Sequence, residues 1–392
     1  MLLLPMLELA KILRDIDSLG RERAELFSGL SAELKTADGI ISKISADLDA
    51  ANQRIESAKT SWLTTTFQEP PDKVRPLPEL PSQHAVVAVD GSQIMPDKHE
   101  VTFCYLLNAA YIILYYGTGE RPISRTIPQL CYRDEDLTVK PYGKRQVRVN
   151  DRILSIRRTL AEAKSMQTAI EAAKASGIPV VGLWDGSLIQ WTFESEPPDY
   201  REKILNEYLQ ALDVAKELGI PVAGYISDPG SRDFVNSMRI MLCDQETIDC
   251  DVCPHTDSKP CDAVAHLKDS IVCKARLTDG SRSAVFSSSS SILDRYREHR
   301  IRAFYMNPGR EIVRIEVPEW VASDAGLLDL THAVCYDQAQ KGRGYPVALS
   351  EAHEHAVIRT PDRKAFFEMI ERSFAKHGAK ISLSLKRQSK GW

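Results

Sequence analysis

The 392-residue chain lacks any apolar run that approaches the roughly 18 residues of a membrane-spanning helix. The apolar start, Met1 to Leu4, is interrupted by Pro5 and Glu8 before the core of a signal peptide develops. We therefore expect a protein without membrane segments that remains in the cytoplasm.

The sequence also lacks the G-x-x-x-x-G-K-[ST] motif, so no P-loop for ATP is present. An excess of positive charge is missing too, because the formal net charge is −4. A uniformly basic surface for nucleic acid is thereby excluded, and any polyanion would need a local cluster of Lys and Arg. Directional movement along such a polymer would have to be powered by a partner.

Cysteine is present but lacks a regular metal-binding spacing. Cys250 and Cys253 form one C-x₂-C pair, and the second pair of a zinc ribbon is absent from the surrounding window 243–273. Three interpretations stay open: a structural zinc site, an iron-sulfur cluster, or reduced thiols without metal. The zinc site would use Cys250, Cys253, Cys261 and Cys273.

The first 83 residues indicate an arm and a connector. Apolar residues recur every three or four positions from Phe27 to Trp62, which predicts a helix with a coiled-coil seam. Such a seam either packs back on the same chain or forms a dimer. Five prolines between 70 and 81 then predict an extended connector. The predicted boundaries are a helical arm (1–66), a connector (67–83) and a main domain (84–392) with a Cys-rich insertion around 243–273.

Strand and helix patterns alternate in the main domain, which predicts an α/β fold with a mixed sheet flanked by helices. The apolar stretch Val101 to Tyr116 is long enough for two strands, or for one strand and a bend. The predicted strands are 84–89, 180–184, 221–226, 303–305 and 311–317, and the predicted helices are 152–175, 200–217 and 347–358.

Two of the predicted strands end in the same tripeptide, Asp-Gly-Ser, at Asp90 and at Asp185. Asp-Gly is ordinary turn chemistry when it occurs once. Two carboxylates at the ends of adjacent strands can share a cation, and oxygen ligands favour Mg²⁺ or Mn²⁺. The order strand-Asp, further strands, helix, strand-Asp is that of an RNase H-like core, in which a helical Glu usually completes the acidic set.

Further motifs carry a resemblance to a known family. Together with Asp90-Gly91-Ser92-Gln93 and Trp184-Asp185-Gly186-Ser187-Leu188, the chain resembles the NurA domain family in three later segments, from about residue 84 to the C-terminus. These segments are Ala223 to Ser227, Arg314 to Pro318, and Gly344-Tyr345-Pro346 followed by Glu351 to Glu354.

The resemblance implies an RNase H-like, homodimeric nuclease that degrades DNA with Mn²⁺, as a 5′–3′ exonuclease and a single-strand endonuclease. It also implies a partner, the hexameric HerA ATPase, and a role in end resection during double-strand-break repair. Two rivals remain: a non-catalytic DNA clamp or adaptor for that ATPase, and a nuclease acting on RNA or hybrids.

Position by position, the resemblance implies that Asp90 and Asp185 bind metal and that Tyr345 and His353 belong to the site. For the helical glutamate it favours Glu162 over Glu171. His353 would bind metal or transfer a proton, and Tyr345 would orient the phosphate or stack on a base. Without the resemblance, His353 is more simply a surface histidine.

Basic residues precede and enter the helix that carries the glutamate. They form either a track for phosphates or a solvated helix face. The residues are Lys144, Arg145, Arg148, Arg152, Arg157 and Arg158.

Overall fold

The computed structural model describes residues 9–95, 104–142, 145–255 and 257–378. Its strands are β1 (Thr65–Phe67), β2 (Val74–Arg75), β3 (His84–Ile94), β4 (Tyr105–Tyr116), β5 (Ile123–Cys131), β6 (Thr138–Tyr142), β7 (Arg145–Arg148), β8 (Val180–Asp185), β9 (Val222–Ile226), β10 (Arg282–Ser283), β11 (Phe286–Ser288), β12 (Ile301–Met306) and β13 (Val313–Pro318).

The α-helices are joined by several short 3₁₀ turns. They are α1 (Leu13–Ala46), α2 (Leu48–Ser57), α3 (Asp134–Leu137), α4 (Asp151–Lys174), α5 (Trp191–Glu194), α6 (Pro198–Leu218), α7 (Asp233–Leu242), α8 (Asp269–Arg276), α9 (Glu319–Ala322), α10 (Ala325–Lys341), α11 (Val347–Ala356) and α12 (Thr360–Lys376).

The centre of the fold is a mixed sheet in which β5, β4, β3, β8 and β9 are neighbours in that order. β3, β4 and β5 are antiparallel, whereas β8 runs parallel to both β3 and β9. This order confirms the predicted RNase H-like core. Beyond β9 the same sheet continues antiparallel through β13, β12, β11 and β1, and β6 pairs with β7 in a separate hairpin.

Helices cover both faces of the sheet because β3 and β8 are apolar on both faces. Val87 and Val89 belong to a core cluster that includes residues of α4 and α6. Val86 and Ala88, which point to the other face, belong to a cluster with residues of α10 and α11. Alternate positions of β3 therefore face alternate helix layers.

The structure differs from the sequence-based strands at one functionally important place. β3 does not end at Asp90 but runs on to Ile94, because β4 supplies pairing partners as far as Leu106. The apolar stretch before Tyr116 accordingly contains one long strand, β4, in its described part. Gly91 and Ser92 lie within the strand and form no turn.

The predicted helix through Trp62 is wrong at two places. Asp47 separates α1 from α2, where its side chain accepts a hydrogen bond from the Ala50 backbone N–H, and α2 ends at Ser57. From Leu30 onward the seam packs on its own chain, in a cluster that holds Ile41 and Ile44 together with residues of α7. Nearer the N-terminus the apolar side chains are exposed: Leu9, Ile12, Leu13, Ile16 and Leu19.

The predicted connector also contributes to the sheet. β1 pairs with β11, and β2 pairs with β10. The prolines lie outside these two short strands, since proline cannot donate a hydrogen bond within a sheet. Within the described residues, no helix combines the length and the apolar character that crossing a membrane would need.

Packing of α1 on its own chain leads to a stability prediction. Ile41 is fully buried (0% exposed), so Ile41→Ala should lower the free energy of unfolding by about 2–5 kcal/mol. Leu19→Ala removes a side chain of similar size that is 54% exposed. This variant should change the free energy of unfolding by less than about 0.5 kcal/mol. Urea denaturation measures both. Equal, small effects would show that this part of α1 does not belong to the folded core.

Candidate active site

Asp90 and Asp185 lie side by side on two neighbouring strands, β3 and β8. Val89 pairs with Trp184 in the parallel ladder of β3 and β8, so the next residues, Asp90 and Asp185, occupy neighbouring positions about 4.8 Å apart along the sheet. Both point to the face that α11 covers, by the alternation described above. The Asp90 side chain is 20% exposed and Asp185 is exposed.

Two residues of the α10–α11 region complete this side of the site. His353 Nδ1 lies 2.8 Å from Asp90 Oδ2, although the imidazole is 59% exposed. The ring of Tyr345 packs edge-on against Tyr225, with 5.8 Å between centroids. Burial raises the pKa of the Tyr345 hydroxyl, and its interaction with Asp185 raises it further. Tyr345 therefore stays protonated at neutral pH and can donate a hydrogen bond.

Glu162 reaches the site from α4, on the opposite face of the sheet. A Cβ atom on Gly91 would lie 2.6 Å from Glu162 Oε1 and 2.9 Å from Arg158 Cγ. The second residue of Asp-Gly-Ser thus has to be small, because the glutamate approaches the backbone of β3 closely. Glu171 is nine residues further along the same helix, is exposed, and accepts a hydrogen bond from Gln167. The structure brings Glu162, and not Glu171, to the two aspartates.

The acidic groups influence one another. Burial raises the pKa of Glu162 to about 7, the charges of Asp90 and Asp185 act in the same direction, and Arg158 opposes them. Arg158 Nε lies 3.3 Å from Glu162 Oε1. A site with three carboxylates and one nearby guanidinium has an excess of negative charge, which a cation would relieve.

The backbone after Asp185 is held by a residue to which the sequence assigned no role. Glu316, 1% exposed on β13, accepts hydrogen bonds from the Ser187 hydroxyl (2.6 Å) and the Leu188 backbone N–H (3.0 Å). Its other oxygen pairs with Arg314, which also pairs with Asp233. This buried network fixes the second Asp-Gly-Ser against the sheet. Its contacts join β13 to the segment after β8, which is distant in sequence, so only the folded chain reveals them.

The basic residues are placed unequally. Arg157 donates hydrogen bonds to the Tyr105 hydroxyl and to the backbone carbonyl of Asp136, so its contacts are structural. Arg152 pairs with the buried Glu196, and Arg148 is exposed. Arg145 lies in β7, and Lys144 lies outside the described residues. Arg158, beside Glu162, is the basic side chain of this set that the structure brings to the carboxylates.

Comparison with known proteins identifies the family. Residues 84–358, well over half of the chain, match the NurA domain. The chain belongs to the NurA domain family. This confirms the resemblance predicted from the motifs, and family membership indicates a nuclease. A comparison with curated proteins finds no match.

Solved structures with the same fold include the NurA nuclease from Sulfolobus solfataricus. It is 14% identical, and the alignment covers 93% of this chain and 98% of that chain with a TM-score of 0.50. A structure of NurA with manganese is 12% identical, with coverage of 76% and 91% and a TM-score of 0.37. At 14% identity, the likeness to the Sulfolobus solfataricus structure concerns the fold alone.

The donor set of this candidate site fits a hard divalent cation, since Asp90, Asp185 and Glu162 offer oxygen ligands and His353 a nitrogen. These side chains are spread more widely than the group Asp213, Glu298 and His299. That group is the one in the described part of the chain whose possible ligand atoms all lie within 4.8 Å of one another. A shared ion would draw the site's carboxylates together.

The compact group of Asp213, Glu298 and His299 is better explained as a salt-bridge cluster. Arg297 neutralises Asp213 (3.0 Å) and Lys216 neutralises Glu298. Both nitrogens of His299 are engaged, Nε2 by Asp213 and Nδ1 by the indole N–H of Trp320. A metal ion would have to displace the Arg297 and Lys216 side chains from these two carboxylates.

The cysteine window shows no convergent zinc or iron-sulfur ligands among the described residues, since Cys250, Cys253, Cys261 and Cys273 form no such group. Burial raises the pKa of the Cys273 thiol well above its usual value and also raises that of Cys261. Zinc and iron-sulfur sites require thiolates. Of the three interpretations, the structure favours reduced thiols without metal.

The raised pKa of Glu162 predicts that this residue makes the metal-free protein less stable as the pH rises. A folded-state pKa of about 7 means that the contribution of this group to stability is full below pH 4.5 and is lost as the pH rises through 7. Glu162→Gln should therefore increase the free energy of unfolding at pH 8 by on the order of 1–3 kcal/mol, measured by urea denaturation in EDTA. Glu171→Gln, on an exposed residue of α4, is the control and should have little effect. A less stable Glu162→Gln variant would contradict the inference that charged Glu162 destabilises the metal-free site.

Proposed function

We propose that this protein is a metal-dependent deoxyribonuclease whose active site consists of Asp90, Glu162, Asp185, Tyr345 and His353. The observation that carries the proposal is the in-register pairing of β3 with β8. It sets two aspartates side by side, with a glutamate from α4 and a histidine from α11 directed at the same place. Mn²⁺ or Mg²⁺ is the cation expected for these ligands.

The cation, when bound to the carboxylates, polarises the phosphodiester and lowers the pKa of a water molecule. The protein's own groups do the rest. Asp90 orients the imidazole of His353 through Nδ1, which leaves Nε2 to bind the cation or to exchange a proton with the substrate. Tyr345, protonated, donates to a phosphate oxygen or stacks on a base. Arg158 offers positive charge to the phosphate that approaches Glu162.

A catalytic role explains the acidic groups better than a DNA clamp would. Carboxylates without a cation repel phosphate, and the crowding at Glu162 is a cost that a clamp has no reason to bear. The finer assignments rest on the family: DNA in preference to RNA, 5′–3′ exonuclease and single-strand endonuclease activity, and end resection in double-strand-break repair.

The proposed setting is a cytoplasmic complex. The chain has no P-loop, so a hexameric translocase of the HerA type would move the DNA. Homodimer formation and docking would use the exposed apolar side of the first half of α1, which includes Leu13, Ile16 and Leu19. The predicted seam is excluded from this role from Leu30 onward, because there it packs within the chain.

Removing either aspartate should stop cleavage. Asp90→Asn and Asp185→Asn each delete a charged ligand, and we expect the rate on labelled single-stranded DNA with Mn²⁺ to fall by at least roughly 1,000-fold, while DNA binding persists. EDTA should stop the wild type. Parallel assays with Mg²⁺, with duplex DNA and with RNA test the metal and the substrate.

The matched control for this experiment is Glu298→Gln. It removes a carboxylate from the salt-bridge cluster on the 3₁₀ turn before β12 and should leave cleavage unchanged. Near-normal Mn²⁺-dependent activity in either aspartate variant would refute the proposed site. Loss of activity in Glu298→Gln alone would transfer the metal to the cluster with Asp213.

The proposed role of the arm predicts the effect of a truncation. Deleting residues 1–29 removes the exposed apolar side of α1 and keeps the buried seam, so the domain should stay folded and cleave short single strands at near-normal rates. Dimer formation, measured by analytical ultracentrifugation, or binding to the translocase should weaken roughly 10-fold or more. Unchanged assembly would place both interfaces on the sheet domain.

A further inference from the structure

Two polar side chains on neighbouring strands bind the same oxygen atom. Ser92 on β3 and Asn108 on β4 are directly opposed in the antiparallel ladder. The Ser92 hydroxyl and the Asn108 side-chain amide, at 2.8 Å, both donate to the backbone carbonyl of Ala356. Ala356 is the last residue of α11 and is fully buried.

The carbonyl that receives these bonds would otherwise lack a partner inside the helix. The last four carbonyls of an α-helix have no i+4 amide, and a buried carbonyl without a hydrogen bond costs free energy. The Val357 N–H already bonds to the His353 carbonyl, one turn earlier. Ser92 and Asn108 therefore fix the end of α11 to the sheet at a defined point.

This fixed point lies next to the proposed active site. Ser92 is two residues after Asp90 on the same face of β3, and His353 is three residues before Ala356 on the same side of α11. The contact of His353 with Asp90 and that of Ala356 with Ser92 thus run in parallel between one strand and one helix. The imidazole is mostly exposed, so its position depends on where the helix is held.

We propose that Ser92 and Asn108 are positioning residues that hold the last turn of α11, and with it His353, against Asp90. The proposal rests on the proposed function for its catalytic consequence, but its structural part does not. Apolar packing of Ala348, Leu349 and Ala352 in the core seats the helix. Apolar packing is not directional, whereas two hydrogen bonds to one oxygen specify a position.

The test uses Ser92→Ala, Asn108→Leu and the double variant of the full chain. Asn236→Leu is the matched control, because Asn236 also donates its amide to a backbone carbonyl, that of Leu63, but on α7. Ser92→Thr keeps the hydroxyl and should behave like the wild type. Hydrogen exchange of residues 347–357, followed by mass spectrometry, reports on the helix end without any need for activity.

We expect exchange in residues 353–357 to accelerate roughly 10-fold or more in the double variant, with the rest of the domain unchanged. The single-turnover cleavage rate should fall roughly 10- to 100-fold with little change in DNA affinity. In a His353→Ala background the same double variant should cause almost no further fall, because its effect passes through His353.

Two outcomes would overturn the proposal. Unchanged exchange in residues 347–357 would show that the two side chains do not hold the helix. An equal, additional loss of activity in the His353→Ala background would show that they act on stability or on another group. If the wild type itself cleaves nothing while the exchange effect is present, the proposed function fails and the structural part of the inference stands.

Discussion

The parallel pairing of β3 with β8 is the constraint on which the site depends. Both strands are buried on both faces, so a shift of one residue would turn every apolar side chain to the wrong helix layer. The hydrophobic pattern therefore fixes the register, and the register sets Asp90 beside Asp185. The acidic pair is in this sense a consequence of core packing that begins five residues earlier, at Ala85 and Val180.

Crowding carboxylates at one sheet edge costs stability, and a buried network beside them holds the neighbouring backbone in one conformation. Glu316 binds both Ser187 and Leu188, and its charge is balanced by Arg314 inside the protein. A buried charge pair of this kind adds little net stability, but it specifies one conformation because each partner needs the other. The backbone after Asp185 is accordingly held against β13 by these hydrogen bonds.

The sequence predicted the parts of the fold that have a strong local pattern. α4, α6, β8 and β9 agree with the predicted elements within two residues, since each has a clear apolar period and an end signal. β5 was not predicted, because most of its residues are exposed and no alternation of apolar and polar residues marks it as a strand. It also contains Pro128. β1, β2, β10 and β11 are too short to produce a pattern. The roles of Glu316 and Asn108 depend on contacts with residues more than 100 positions away, which no local pattern encodes.

The helix α1 also shows what a local sequence pattern does not encode. Apolar residues occur in both halves of the helix, yet the two halves have different surroundings. Ile41 and Ile44 are buried against the chain's own α7 region, whereas Leu13 and Ile16 are exposed. Periodicity specifies which side of a helix is apolar but not what covers it. The second half of α1 therefore serves folding, whereas the proposed assembly would use the exposed apolar residues of its first half.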